Sequence, residues 1–138
     1  MSTVIQSQEK LVYQTPPNEI LKLVDIERAP IVSTDSKSEQ MLFFYRNSFK
    51  SLADLNQPEL KLAGLRINPD ANISSTLTYF NNIRYKKTTD QKIKDISSLP
   101  VDARIAYATF SPDETKLAFT NTTDSGVELW VIDFQKLS

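Results

Sequence analysis

The chain has 138 residues, 40% of them apolar and 24% charged, which suits one domain with a modest core. Its net charge of −1 makes no electrostatic case for nucleic acid, and Lys86-Lys87, the densest basic spot, reads as a solvated rim beside a turn. It has no cysteine and no histidine, which excludes disulfides, Cys-based zinc sites and thiol catalysis, and removes the usual base of a Ser-His-Asp site.

In chain order, residues 1–12 read as a mobile arm. They are polar at the start, with no apolar stretch of the kind a signal peptide carries. Thr15-Pro16-Pro17-Asn18-Glu19 then supplies a cap-type residue, first-turn prolines and an early acid, and Ile20, Leu23 and Val24 follow at helical spacing. A helix of about two turns is predicted from Asn18 to about Asp25. From Ile31 the pattern changes to strands. Ile31 to Asp35 and Met41 to Phe44 form a hairpin-like pair, and a similar pair recurs as Ala108 to Asp113 followed by Leu117 to Thr120, with two extra residues in the earlier turn when Ser33 is laid on Ser111. A further strand, Val127 to Phe134, follows the turn Asp124-Ser125-Gly126.

Between the repeats lies an insertion of about 48–82. Ser51 to Leu55 reads as a helical turn or an irregular segment, and Pro58 to Ile67 carries Leu60, Leu62, Leu65 and Ile67 around Gly64. Asn68-Pro69-Asp70-Ala71-Asn72 is a turn cluster. Thr76 to Phe80, Ile83 to Lys87 and Ile93 to Ile96 are predicted as short strands. The fold class is therefore mainly β: two partial antiparallel β-propeller blades, with hairpins near 29–46 and 105–134, a short N-terminal helix and a long insertion. Residues 13–138 read as the N-terminal part of such a domain, its chain stopping before a fourth strand of the second blade. Open sheet edges in such a piece predict self-association.

Chemistry-bearing motifs are scarce. With only Gly64 and Gly126 as glycines there is no G-x-S-x-G elbow and no phosphate-cradling loop. The carboxylates, among them Glu19, Asp54, Glu59, Asp95, Asp113 and Asp133, are scattered over turns and strand ends. No calcium loop occurs. No catalytic residue, metal or cofactor is assigned. The longest apolar run, Met41 to Tyr45, is far short of the ~20 residues of a membrane-spanning helix.

Tyr13 to Ile20, Ser51 to Pro69 with its Lys61-Leu62-Ala63-Gly64-Leu65-Arg66-Ile67-Asn68-Pro69 segment, and Phe110-Ser111-Pro112-Asp113 followed by Leu117-Ala118-Phe119 together resemble the start of a glutamyl endopeptidase-type, dipeptidyl or acylaminoacyl peptidase-like member of the prolyl oligopeptidase family. The resemblance runs from Tyr13 to Phe134. It implies an N-terminal β-propeller over a C-terminal α/β-hydrolase domain of the same polypeptide, absent from this chain, whose serine peptidase site the propeller screens for peptide substrates. For a bacterial chain it implies a periplasmic or secreted parent. One departure is Glu114, where such repeats carry glycine; a type I turn needing no positive φ is expected there.

Arg66 is the single candidate for substrate binding, since its planar fork suits a carboxylate; its ordinary reading is a structural salt bridge or a solvated arginine. Trp130, Phe110, Phe119, Phe43 and Phe44 read as core, whereas Tyr79, Phe80 and Tyr85 could line an interface with the absent domain. Two other readings are a self-standing TolB-like interaction module and an independent carboxylate enzyme, the latter disfavoured by the missing histidine and the scattered acids.

Overall fold

The computed structural model describes residues 16–24 and 26–137; the arm expected over 1–12 lies outside them. In chain order the elements are α1 (Asn18–Val24), β1 (Ile31–Thr34), β2 (Gln40–Tyr45), α2 (Leu52–Leu55), β3 (Leu60–Leu62), β4 (Leu65–Asn68), β5 (Ile73–Ser74), β6 (Asn82–Lys87), β7 (Lys94–Asp95), β8 (Ile105–Phe110), β9 (Lys116–Thr122) and β10 (Val127–Asp133), ending in a 3-10 turn, Phe134–Leu137. The fold is mainly β. Three antiparallel sheets form, with orders β1-β2-β6-β7, β3-β4-β5 and β8-β9-β10.

Alternation decides which face of each sheet is sealed. In β2, Leu42 and Phe44 are buried while Met41, Phe43 and Tyr45 are half-buried on the other side, and β6 repeats this with Ile83 and Tyr85 inward. On β9, Leu117 and Phe119 turn inward beside Ile105 of β8 and Ile132 of β10. These two sets, with Phe134, make one core between the first and last sheets. Tyr85 stacks on Phe134 at 5.0 Å and donates its hydroxyl to Gln40 Oε1 at 3.0 Å, so the ring is buried without orphaning its oxygen. Phe119 and Phe44 are core as expected, while Phe110 and Trp130 are only partly buried against it and Phe43 sits on the opposite face.

Helix α1 forms where the caps and spacing place it, but Ile20, Leu23 and Val24 remain exposed, so no described residue covers its apolar stripe. The inserted unit starts on α2, whose Ser51 hydroxyl accepts from Asp54 N–H while the Asp54 carboxylate accepts from Ser51 N–H, a reciprocal cap. Its hairpin turns on Ala63 and Gly64, both at positive φ (45° and 89°), with Leu62 paired to Leu65. Two left-handed residues are what a tight two-residue hairpin requires, and the space beside Gly64 is open, so the glycine serves its backbone angle rather than packing.

Three expectations are corrected. The strand predicted over Thr76 to Phe80 is absent except for Phe80, which bridges Ile105; Leu77 N–H turns back to Ser74 O and Thr76 N–H to the Ser74 hydroxyl, local bonds that replace a ladder. The extra two residues in the first repeat's turn are also absent. Both loops are equally long, 35–39 and 111–115, and bond alike: Asp35 N–H to Gln40 O and Ser38 N–H to Asp35 O in one, Ser111 N–H to Lys116 O and Glu114 N–H to Ser111 O in the other. Asp35, not Ser33, is the counterpart of Ser111.

Glu114 does adopt positive φ (58°), as does its counterpart Ser38 (58°). The strain of a non-glycine there is offset because the Glu114 carboxylate accepts from both the N–H and the hydroxyl of Ser36 at 2.8 Å, and its carbonyl accepts from Gln40 Nε2. The residue that departs from glycine therefore ties the two turns together.

Candidate functional site

At one end of the stacked sheets the connections leave a cleft of about 590 Å³. Its walls come from the segment after β2 (Arg46 to Ser51), the end of the insertion (Ser74 to Asn81) and the approach to β8 (Asp102 to Arg104), with Arg28 joining from before β1. Rigid strands thus hold a site made of loops, the usual division of labour.

Charge in the cleft is unequal. Arg28, Arg46, Lys50 and Arg104 face it against only Asp54 and Asp102. Asp54 is already committed to Ser51, whose hydroxyl and N–H, in that order, hold its carboxyl below the usual range. Arg104 pairs with Asp124 on the β9–β10 turn, and its N–H is held by the Asn121 side chain. Among the described residues Lys50 bonds only the Ser75 carbonyl, at 3.5 Å. Arg46 Nε is shut off from solvent and has no acceptor among the described residues. Asn47 and Asn81 bond each other at 2.7 Å, and Phe49, Leu77, Tyr79 and Phe80 give the cleft an apolar side.

Arg66 is placed elsewhere. It projects from β4 with its Nε 3.1 Å from Glu59 Oε1, half-exposed, and does not line the cleft. Glu59 also accepts from the Ser75 hydroxyl at 2.6 Å; that bond first, then Arg66 and Lys61, keeps its carboxyl below the usual range. Of the three aromatics expected at an interface, Tyr85 is core, while Tyr79 and Phe80 line the cleft. Arg46 itself was not singled out by the sequence; an arginine directly after the apolar run Met41 to Tyr45 is the only local signal.

Among the described residues no group of three acidic, histidine or cysteine side chains could hold a metal, and no helix is long and apolar enough to cross a membrane. The chain is similar to two plant endopeptidases. It is 32% identical over 133 residues to a protein of Oryza sativa subsp. japonica named "Probable glutamyl endopeptidase, chloroplastic", and 32% identical over 132 residues to one of the same name from Arabidopsis thaliana. Each match takes in 89% of this chain and 14% of the relative, so the chain spans about a seventh of the curated relatives it matches. No protein-family model and no solved structure matches it.

Proposed function

We propose that this chain is a non-catalytic, propeller-type part of a larger serine peptidase of the prolyl oligopeptidase family, which restricts peptide access to an α/β-hydrolase domain elsewhere in the polypeptide. The observation that carries the reading is the similarity to two named endopeptidases over 89% of the chain but 14% of the relatives, in a chain without histidine. A Ser-His-Asp mechanism would need its base from another segment. The way the sheets stack supports the propeller part. Equivalent hairpins in the first and last sheets share one core, an arrangement compatible with serial blades.

In this role the sheets act as a rigid frame and the insertion as a projecting screen. On this reading a peptide meets the cleft and, outside it, Arg66 beside Glu59. The test is to label lysate of the source cells with a fluorophosphonate, which marks activated serines, and to probe it with an antibody raised against this chain. A labelled band several times heavier than 15.7 kDa is expected. Antibody-reactive species that carry no label at any mass would overturn the peptidase reading.

A further inference from the structure

We propose that the cleft built by residues 46–51, 74–81 and 102–104 is a binding site for a carboxylate borne on a peptide, with Arg46 as its anchor and Arg28 and Lys50 at its rim. The choice of a peptide as carrier rests on the peptidase reading above; the anion site itself rests on the geometry. Arg28 and Arg46 make no ion pair or hydrogen bond among the described residues, and Lys50 meets only a carbonyl. Four cationic side chains line the cleft against two acids, so among the described residues it carries net positive charge.

The Arg46 Nε donor is enclosed without an acceptor, an arrangement that costs free energy unless something supplies one. A carboxylate does so with two oxygens in the plane of the guanidinium fork; phosphate can match the fork as well, but the apolar lining of the cleft suits a carboxylate borne on a peptide. The remaining lining has the character of a peptide groove. Phe49, Leu77 and Tyr79 offer apolar contact beside the cations, and 590 Å³ is of the size that holds a few residues of chain.

Isothermal titration of this chain with the acetylated, amidated pentapeptide Ala-Ala-Glu-Ala-Ala, its glutamine twin and inorganic phosphate tests the assignment. The glutamate peptide should bind about tenfold tighter than the glutamine one, and more tightly than phosphate. Arg46→Gln should abolish that preference, Arg28→Gln should weaken it, and Lys37→Gln, on the β1–β2 turn, should leave it intact. Should Arg46→Gln fail to fold, Arg46→Lys keeps the charge but not the fork and should still lose most of the preference. Equal binding of the two peptides, no binding of either, phosphate binding as tight as the glutamate peptide, or a preference untouched by the Arg46 variants would each overturn the site. Those outcomes leave the fluorophosphonate result unaffected, so failure of the site and failure of the peptidase reading are separable.

Discussion

Leu42, Phe44, Ile83 and Tyr85 of the first sheet and Ala118, Thr120, Leu129 and Val131 of the last occupy equivalent positions once Asp35 is matched to Ser111. Their surroundings differ completely. The first set is sealed, with Leu42 and Ile83 at 0% exposure, whereas Leu129 is 75% and Val131 58% exposed. The last sheet covers the first with its opposite face, through Leu117, Phe119 and Ile132. Burial here is decided by which neighbour a face meets, since the turn and the pairing of the equivalent positions match, the β8–β9 pair differing by a bulge between Ala106 and Thr109. The two sheets thus meet through opposite faces, and among the described residues nothing covers Leu129 and Val131.

The comparison is broken most directly by truncating equivalent positions. Leu42→Ala should lower unfolding stability by about 2–5 kcal/mol, because it removes a fully packed side chain and leaves a cavity. Leu129→Ala, in an exposed strand position, should change it by about 0.5 kcal/mol or less. Urea unfolding followed by the fluorescence of Trp130 measures both. Similar losses at the two positions would mean that Leu129 is covered in solution.

Much of this contrast can be traced to particular residues in the sequence. The turn residues Asp35 and Ser111 and the apolar runs Met41 to Phe44 and Leu117 to Phe119 marked both hairpins, whereas the inserted hairpin at Ala63-Gly64 was not read from the sequence. Alternation gives the two faces of a strand but not which one finds a partner, so Leu129 and Leu42 look alike on paper. The register of the repeat was misplaced by two residues because Ser33-x-Asp35 mimics Ser111-x-Asp113, although the bonding equates Asp35 with Ser111. The cleft was illegible for a different reason. It gathers Arg28, Arg46, Lys50 and Arg104 from segments far apart in the chain, and each of them alone has the appearance of a surface charge.

The two turns sharpen the comparison further. Ser38 and Glu114 share the same left-handed backbone, but only Glu114 uses its side chain to reach across to the other turn. Glu114→Ala keeps the strained φ and loses both bonds to Ser36, while Glu114→Gly loses the bonds and relieves the strain. The glycine variant should therefore be the more stable of the two by about 1 kcal/mol. Ser38→Gly, which gives up no bond between the turns, should be neutral or slightly stabilising. Urea midpoints of the three variants decide this, and equal midpoints for the alanine and glycine forms at 114 would show that the angle carries no strain.

The smallest expected effect is one of pH, and it separates the turns by their acceptors. Asp113 takes bonds from the hydroxyls of Ser111 and Thr115 and from the Thr115 N–H, which hold its carboxyl below the usual range. Glu128, beside Trp130 Nε1–H and the Asn121 side chain, is lowered in the same way. A carboxyl whose folded pKa lies below its unfolded value stabilises the fold above the unfolded value, near 4, and loses that contribution as pH falls through the folded one. Stability should thus be level from neutral pH down to about 5 and decline below about 4. Asp113→Asn should make the decline shallower, because the amide does not titrate. Comparing urea midpoints at neutral pH and near pH 3 for the two proteins gives the slope, and an unchanged slope would mean that the Ser111 and Thr115 bonds do not favour the charged form. Such a result would make the second turn a matter of backbone geometry alone, with Ser111 acting only through its bond from Lys116 N–H.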